Sequence, residues 1–413
     1  MSENENKTIP NDKIKSDKKP NVPNLRFSNF IESWKKKRFY EIADFYKGCG
    51  ISKEQLTLEG NECILYGELY TTYDTETIDE VKSKTNIETK GLFFSKKNDV
   101  IIPASGETPI DIATACCVCK DNVLFGGDLN VIRLKYDNGS FISCQLNGKR
   151  KIDIAKIAQG ASIVHLHNDD LKKLVLYIPT TLEEELKIVK LFTLIDSRIK
   201  TQSKIIEDLE LLEKSISHKI FGDNSLIKKD WKLTKLSDVL IERKTYDVKE
   251  SSYPHVTLSK DGIYSKSDRY NRDFLVKDEE KNYKITHLND ICYNPANLKF
   301  GVICLNTYGD AIFSPIYVTY EVKNGNDAYF ISQYVTNSTF IGHIRKYEQG
   351  TVYERMAVSS EDFLKGKIYL PPINIQNEIT QIFKLLDKKI NIELEILNKL
   401  KEQKKYLLSN MFI

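Results

Sequence analysis

Residues 188–220 read IVKLFTLIDSRIKTQSKIIEDLELLEKSISHKI, and residues 379–411 read ITQIFKLLDKKINIELEILNKLKEQKKYLLSNM. In the first stretch Ile188, Phe192, Ile195, Ile199, Gln202, Ile206, Leu209, Glu213, Ile216 and Ile220 alternate steps of four and three. Adding 191 to each number gives Ile379, Phe383, Leu386, Ile390, Glu393, Leu397, Leu400, Lys404, Leu407 and Met411. Gln202 and Glu213 interrupt the first series where Glu393 and Lys404 interrupt the second. A period of 3.5 residues keeps one apolar stripe facing a partner helix, which is the seam of a coiled coil. Each helix, at about 40 residues and 1.5 Å per residue, would run roughly 60 Å.

The repeat extends outward from these helices. Trp34 precedes KKKRFYEIADF and Trp231 precedes KLTKLSDVLIE. Asn98–Asp99–Val100 recurs as Asn289–Asp290–Ile291, and Gln159–Gly160 as Gln349–Gly350. DDLKKLVLYIPTT and EDFLKGKIYLPPI both end on an aliphatic strand and a proline, Pro179 or Pro371. A chain built of duplicated units must be read unit by unit. The reading is a tail at 1–22 expected to be disordered, a globular domain at 23–179, and a central helix at 180–222. A second globular domain at 228–370 and a C-terminal helix at 371–413 complete it. If the second domain brings its ends together, as compact domains commonly do, the second helix returns antiparallel to the first.

Both globular domains read as mixed α/β, with more strand than helix. CILYGEL, DVIIP, VIRLKY, FISCQL, YPHVTL, AIFSPIYVTYEV and KIYLPP are short β-branched or aromatic runs that predict strands. Asn–Gly at 138–139, 147–148 and 324–325, with Asp261–Gly262, marks turns between them.

The 413 residues carry 61 Lys and Arg against 58 Asp and Glu, a net charge of +3. That excludes a uniformly basic coat but leaves room for a locally basic face. No run approaches the ~18 apolar residues of a membrane-spanning helix. The opening MSENENKTIPNDKIKSDKKP lacks the apolar stretch of a secretory signal, so a cytoplasmic chain is expected. Its eight cysteines (Cys49, Cys63, Cys116, Cys117, Cys119, Cys144, Cys292, Cys304) are then expected as thiols. Cys116 and Cys119 form a CxxC with His165 and His167 downstream, but a structural zinc site shows two ligand pairs. The run ATACCVC reads instead as a buried strand, and no metal is assigned.

No phosphate-cradling GxxxxGK[ST], no GxGxxG after a strand, no HExxH and no GxSxG occurs. Asn294–Pro295 opens like the Asn/Asp–Pro–Pro–aromatic motif of amino-methyltransferases, but Ala296–Asn297 breaks it. The histidines (165, 167, 218, 255, 287, 343) lack a recurring partner, so no catalytic residue is assigned. Basic clusters remain at Lys35–Arg38, Lys149–Lys151, Arg269 with Arg272, and Arg345–Lys346, near the amide- and aromatic-rich LYTTYDT, RYNRDF and YNPANLK. Lys and Arg attract phosphates while amides and hydroxyls read base edges. Two such domains on a rigid spacer suit a long, interrupted DNA site.

In this order of domain, helix, domain, helix, the chain resembles the specificity subunit of type I restriction–modification enzymes. The resemblance runs from about residue 25 to 413 and includes the Trp34 and Trp231 openings, the Asn–Asp strand starts and the Gln–Gly turns. The family's Pro–Pro–x–x–Glu–Gln–x–x–Ile helix opening appears as PPINIQNEI at 371–379 and PTTLEEELKI at 179–188. Its Glu–Gln step is absent from both, so no role is carried onto those residues. The resemblance implies an α/β (α+β) fold of two target-recognition domains separated by an antiparallel coiled coil. It implies a non-catalytic subunit that reads a bipartite asymmetric sequence in double-stranded DNA. The partners would be two methyltransferase (modification) subunits and restriction (translocase-nuclease) subunits. S-adenosylmethionine, ATP and magnesium would belong to those partners and not to this chain. A self-contained DNA-modifying enzyme is the alternative that the missing motifs count against. A protein-only coiled-coil adaptor is the alternative that DNA binding would exclude.

Two readers on one scaffold need different polar side chains at repeat-equivalent places. The loop after the second strand of each domain offers Tyr70, Thr71, Thr72 and Tyr73, against Thr257, Ser259 and Lys260. The turn after each Asn–Asp strand offers Ser105, against Asn294, Asn297 and Lys299. The Gln–Gly turns offer Gly160 and Ser162, against Gly350, Thr351, Tyr353 and Arg355.

Overall fold

The computed structural model describes residues 21–73, 75–160, 162–222, 228, 230–247, 252–265, 282–349 and 356–413. They form two compact units, one reaching to Ser203 and including Ile396–Ile413, the other Lys204–Glu395. Asn21, assigned to the tail by sequence, is already part of the fold, because its carbonyl accepts the Trp34 N–H at 2.8 Å.

The first unit uses strands β1 (Lys35–Arg38), β2 (Ala43–Lys47), β3 (Thr77–Ile78), β4 (Asp99–Pro103), β5 (Cys116–Val118), β6 (Leu129–Leu134) and β7 (Val175–Ile178). Five of them form a sheet in the order β2-β6-β4-β5-β3. All its pairings are antiparallel except β3 with β5. A smaller sheet joins Leu124–Phe125, Asn61–Ile64, Ser83–Thr85 and Leu56–Thr57. β1 pairs antiparallel with β7, so the start of the globular part meets its end. ATACCVC does supply a buried strand, with Cys116, Cys117 and Val118 all covered.

FISCQL is not a strand. It lies in helix α1 (Gly139–Asn147), whose residues from Gly139 to Leu146 are all buried. Asn138 caps that helix by accepting the Phe141 N–H at 3.0 Å, so this Asn–Gly starts a helix instead of turning a hairpin. A helix covered on every side shows neither the strand nor the helix period, which is why the run misreads. CILYGEL likewise gives a strand only to Ile64, and Glu68–Thr71 is a single helical turn.

The long helix α2 (Leu182–Phe221) follows β7. The second unit repeats the plan with β8 (Lys232–Lys235), β9 (Leu240–Glu242), β10 (Val256–Ser259), β11 (Gly262–Ser265), β12 (Ile291–Tyr293), β13 (Ile303–Leu305), β14 (Val318–Val322) and β15 (Lys367–Leu370). Helix α3 (Ala328–Thr336) corresponds to α1, and α4 (Ile373–Asn410) corresponds to α2. Its main sheet runs β9-β14-β12-β13, β8 pairs antiparallel with β15, and β10–β11 is a hairpin on Lys260–Asp261. Trp34 meets Phe141 edge-on at 5.6 Å, and Trp231 meets Phe330 in the same way at 6.0 Å.

All twenty seam positions of α2 and α4 are buried or half-buried, while most of the charged residues between them face water. Within the first unit Phe192 stacks on Phe412 at 6.1 Å and Asp196 pairs with Lys404 at 2.6 Å, an antiparallel order. Within the second, Phe221 stacks on Phe383 at 6.1 Å, and Asp387 acts on the half-buried Glu213. The polar seam layers differ in chemistry. Lys404 bridges Asp196 and Glu76 (2.7 Å) in the first unit. Burial works against its ammonium, but Glu76 and Asp196 outweigh that and hold its pKa above the usual lysine range. At the corresponding place in the second unit Glu213 faces Asp387, which accepts a short hydrogen bond from the Tyr329 hydroxyl. Burial and then Asp387 raise the Glu213 pKa.

Candidate functional site

Each unit aims its surface loops from the same turn. Asn98 and Asn289 adopt φ values of +83° and +69°, a left-handed conformation that asparagine tolerates better than most residues. The following aspartate then folds back to accept a backbone N–H three residues earlier: Lys96 to Asp99 at 2.8 Å, His287 to Asp290 at 2.7 Å. Each carboxylate is nearly fully buried and is held by an arginine fork. Arg133 donates to Asp99 through Nε (2.9 Å) and Nη2 (2.7 Å). Arg243 donates to Asp290 through Nε (2.9 Å) and Nη2 (3.0 Å).

The two arginines come from different strands. Arg133 lies on β6 one residue before Leu134, which pairs with Ala43. The corresponding residue on β14 is Glu321, one before Val322, which pairs with Leu240. Arg243 lies three residues beyond Leu240, where the first unit has Tyr46. In the first unit Arg133 lies over the Tyr46 ring at 5.4 Å, and in the second Arg243 reaches Glu321 at 3.1 Å. Arginine and its neighbour have exchanged places around a constant aspartate.

The strands started by these turns, β4 and β12, lead into the candidate loops. Ser105–Gly106 pairs with Val164–His165, the far side of the Gln–Gly loop, and the Leu166 N–H reaches the Ala104 carbonyl at 2.9 Å. In the second unit the Val358 N–H reaches the Pro295 carbonyl at 3.2 Å. A bridge closes the base of each Gln–Gly loop, Gln159 with His165 and Gln349 with Ala357. Gly160 takes φ +131°, and a Cβ there would sit 2.0 Å from the Ile163 carbonyl, so only glycine fits.

The third group of candidates converges on the same place. Burial, then Tyr66, Asp111 and Glu107, raise the Tyr70 phenol's pKa. In the second unit the Lys260 side chain lies 4.0 Å from the Cβ position of Gly301, at the end of the turn Pro295–Phe300. Tyr70, Thr71, Gly160, Ser162, Lys260 and Lys299 are exposed, and Thr72, Thr257 and Asn297 half-buried.

Four candidates are structural instead. Tyr73 is in the core and its hydroxyl accepts the Lys82 N–H at 3.2 Å. Ser105 is buried in its strand pair. Ser259 shapes the β10–β11 turn, accepting the Asp261 N–H at 3.2 Å. Asn294 caps the following turn through the Ala296 N–H at 3.1 Å. Gly350, Thr351, Tyr353 and Arg355 lie outside the described residues, as do Arg269 and Arg272.

The residues at the start of the long helices carry more than their sequence suggested. Glu184 accepts a fork from Arg26 (2.7 and 2.8 Å) and the Trp34 indole N–H (3.1 Å). Glu185 accepts the N–H of Asn138, the cap of α1, at 2.8 Å. Gln376, 191 residues later, does the same for Asp327, the cap of α3, at 2.9 Å. Burial pushes the Glu185 pKa up to about 7, with Asp137 and Glu184 adding to it. No helix among the described residues is long and apolar enough to cross a membrane.

Residues 228–402 match the family described as the Type I restriction modification DNA specificity domain. No curated protein matches the chain. In fold, the chain is similar to the S subunit of a type I restriction-modification system from M. genitalium. The two share 18% identity at a TM-score of 0.57, over 95% of this chain and 99% of that one. It is similar also to a chain from a structure describing complex assembly and conformational transition of a type I R-M system. There the identity is 14% and the TM-score 0.58, over 91% of this chain and 96% of that one.

Proposed function

We propose, from the premise that residues 228–402 are a type I restriction modification DNA specificity domain, that the first unit is a second reader built on the same plan. The chain would then be a sequence-specific DNA-recognition subunit with one reader for each half of a bipartite target. The single observation that carries this is the duplicated turn: left-handed asparagine, buried aspartate and arginine fork, followed by a strand delivering the candidate loops. Since the family match begins at residue 228 and leaves out the first globular domain, this internal correspondence is what extends the reading to it.

In this reading the chain supplies recognition and its partners supply catalysis. Methyltransferase subunits would bring S-adenosylmethionine, and restriction subunits ATP and magnesium, to the DNA that this chain selects in the cytoplasm. In this reading Lys260 and Lys299 would meet phosphates, and Asn297 a base edge. The test is to map methylated adenines in cells carrying the chain with its methyltransferase, first intact and then with Asn297→Ala. We expect a two-part motif whose second part alone relaxes, with a cost of about 1–3 kcal/mol at that half-site. Uniform weakening on all DNA would mean that Asn297 meets phosphate, and the absence of any motif would overturn the reading.

A further inference from the structure

We infer that each reader carries an apolar wedge, Phe300 in the second unit and Ile110 in the first, that enters between two base pairs of its half-site and kinks the duplex. The inference rests on the DNA-recognition reading above. It starts from an anomaly of burial: Phe300 is 63% exposed and Ile110 51% exposed. A large apolar side chain left in water is ordinary when isolated, but these two occupy nearly the same place in the repeat. Ala104 and Pro295 hold the corresponding Gln–Gly loops, and Ile110 follows Ala104 by six residues where Phe300 follows Pro295 by five. The identity of the side chain differs, while its apolar character and exposure persist.

The surroundings of Phe300 suit DNA better than a protein core. The Lys299 ammonium lies 5.1 Å from the Phe300 ring centroid, and Lys260 approaches the adjoining Gly301. One cation over the exposed ring and a second beside the next residue match a wedge whose neighbours grip phosphates at the opened step. Phenylalanine and isoleucine are among the side chains that unstack base steps in this way, paired with phosphate contacts that hold the bent duplex. Phe300 is also held at its base. Asn294 caps the turn that carries it, and Gly301 ends that turn at φ +78°. The ring is thereby fixed on a short, pinned segment.

The experiment uses the full-length chain with its methyltransferase and a pool of duplexes randomised in the core. Sequences that bind are recovered, and 2-aminopurine is then placed at each step of the second half-site in turn. Fluorescence should rise severalfold at one step with the wild-type chain. Phe300→Ala should abolish that rise, and Phe300→Leu, still apolar, should retain it. Lys299→Ala should keep the rise but lower the slope of log affinity against log salt by about one. Ile110→Ala should act in the same way at one step of the other half-site only. If no step brightens, or if Phe300→Ala leaves the signal intact, the wedge is overturned while the reading of DNA recognition stands. A Phe300→Ala chain that loses only its methyltransferase would assign the ring to a protein contact and also overturn it. If the pool yields no preferred sequence at all, the recognition reading fails first and takes the wedge with it.

Discussion

Asp99 and Asp290 illustrate what single residues reveal. The Asn–Asp step is visible in sequence because it recurs 191 residues apart, but its arginine is not, because Arg133 follows its aspartate and Arg243 precedes its own. Only the paired strands bring them together. Removing Arg133 would leave a buried carboxylate uncompensated, a loss of about 3 kcal/mol. The second unit shows how to restore it: Tyr46→Arg in an Arg133→Ala chain should recover most of the stability. Urea unfolding followed by Trp34 fluorescence in a Trp231→Phe background would measure both variants, and no recovery would disprove the exchange of places. Glu185 makes a second prediction. Its folded pKa of about 7 lies above the ordinary 4.5, so its contribution is fully present below pH 4.5 and is lost as pH rises to 7. At about 1.4 kcal/mol per unit the loss approaches 3 kcal/mol. Glu185→Gln, the choice already made at Gln376, should raise the melting temperature at pH 7.5 and flatten the pH profile between 5 and 7. An unchanged profile would place the titration elsewhere.

Among the elements, the long helices were the most legible, since a heptad seam depends on nothing outside its own sequence. Ile206 is 7% exposed and Leu211 is 65% exposed, five residues apart on one helix. A charge at the first should therefore cost several kcal/mol and a charge at the second almost nothing. Circular dichroism melts of Ile206→Asp and Leu211→Asp would check this, and equal melts would remove the seam's role in stability. Helix α1 was the least legible element, because its burial on all sides hides the period and its Asn–Gly cap imitates a turn. Asn138→Ala should destabilise it by about 1 kcal/mol, and Asp327→Ala by more, since Asp327 also accepts from Thr380 at 2.7 Å. Thermal unfolding of the two variants gives the comparison. Of the candidate surface residues that proved structural, Ser259 and Asn294 are small groups whose local hydrogen bonds compete with any outward role, while Tyr73 and Ser105 are buried.

For the molecule as a whole, the duplication was legible and its asymmetry was not. The seams look interchangeable, which suggests that residues 1–222 could pair with a second copy of themselves through α2. Lys404 opposes that. It neutralises both Asp196 and Glu76, and the residue that would replace it is Glu213. Three carboxylates would then share one poorly hydrated layer, a like-charge repulsion that the partners' low exposure leaves weakly screened. Light scattering should find the fragment largely monomeric at pH 7.5, and Glu213→Lys should convert it to a dimer. A tight dimer of the unaltered fragment would show that the layer rearranges.

The displaced arginine also bears on how such a chain can change by recombination. A crossover within the repeat, after Tyr46 but before Arg133, joins the front of the first unit to the back of the second. The hybrid inherits Tyr46 and Glu321, and its aspartate has no cation. The reciprocal hybrid inherits Arg243 and Arg133, two cations for one carboxylate. Splices inside that interval are therefore penalised in both directions, whereas splices in the long helices leave each fork whole. Readers of new specificity should be traded as intact cassettes, with their joints in the heptads.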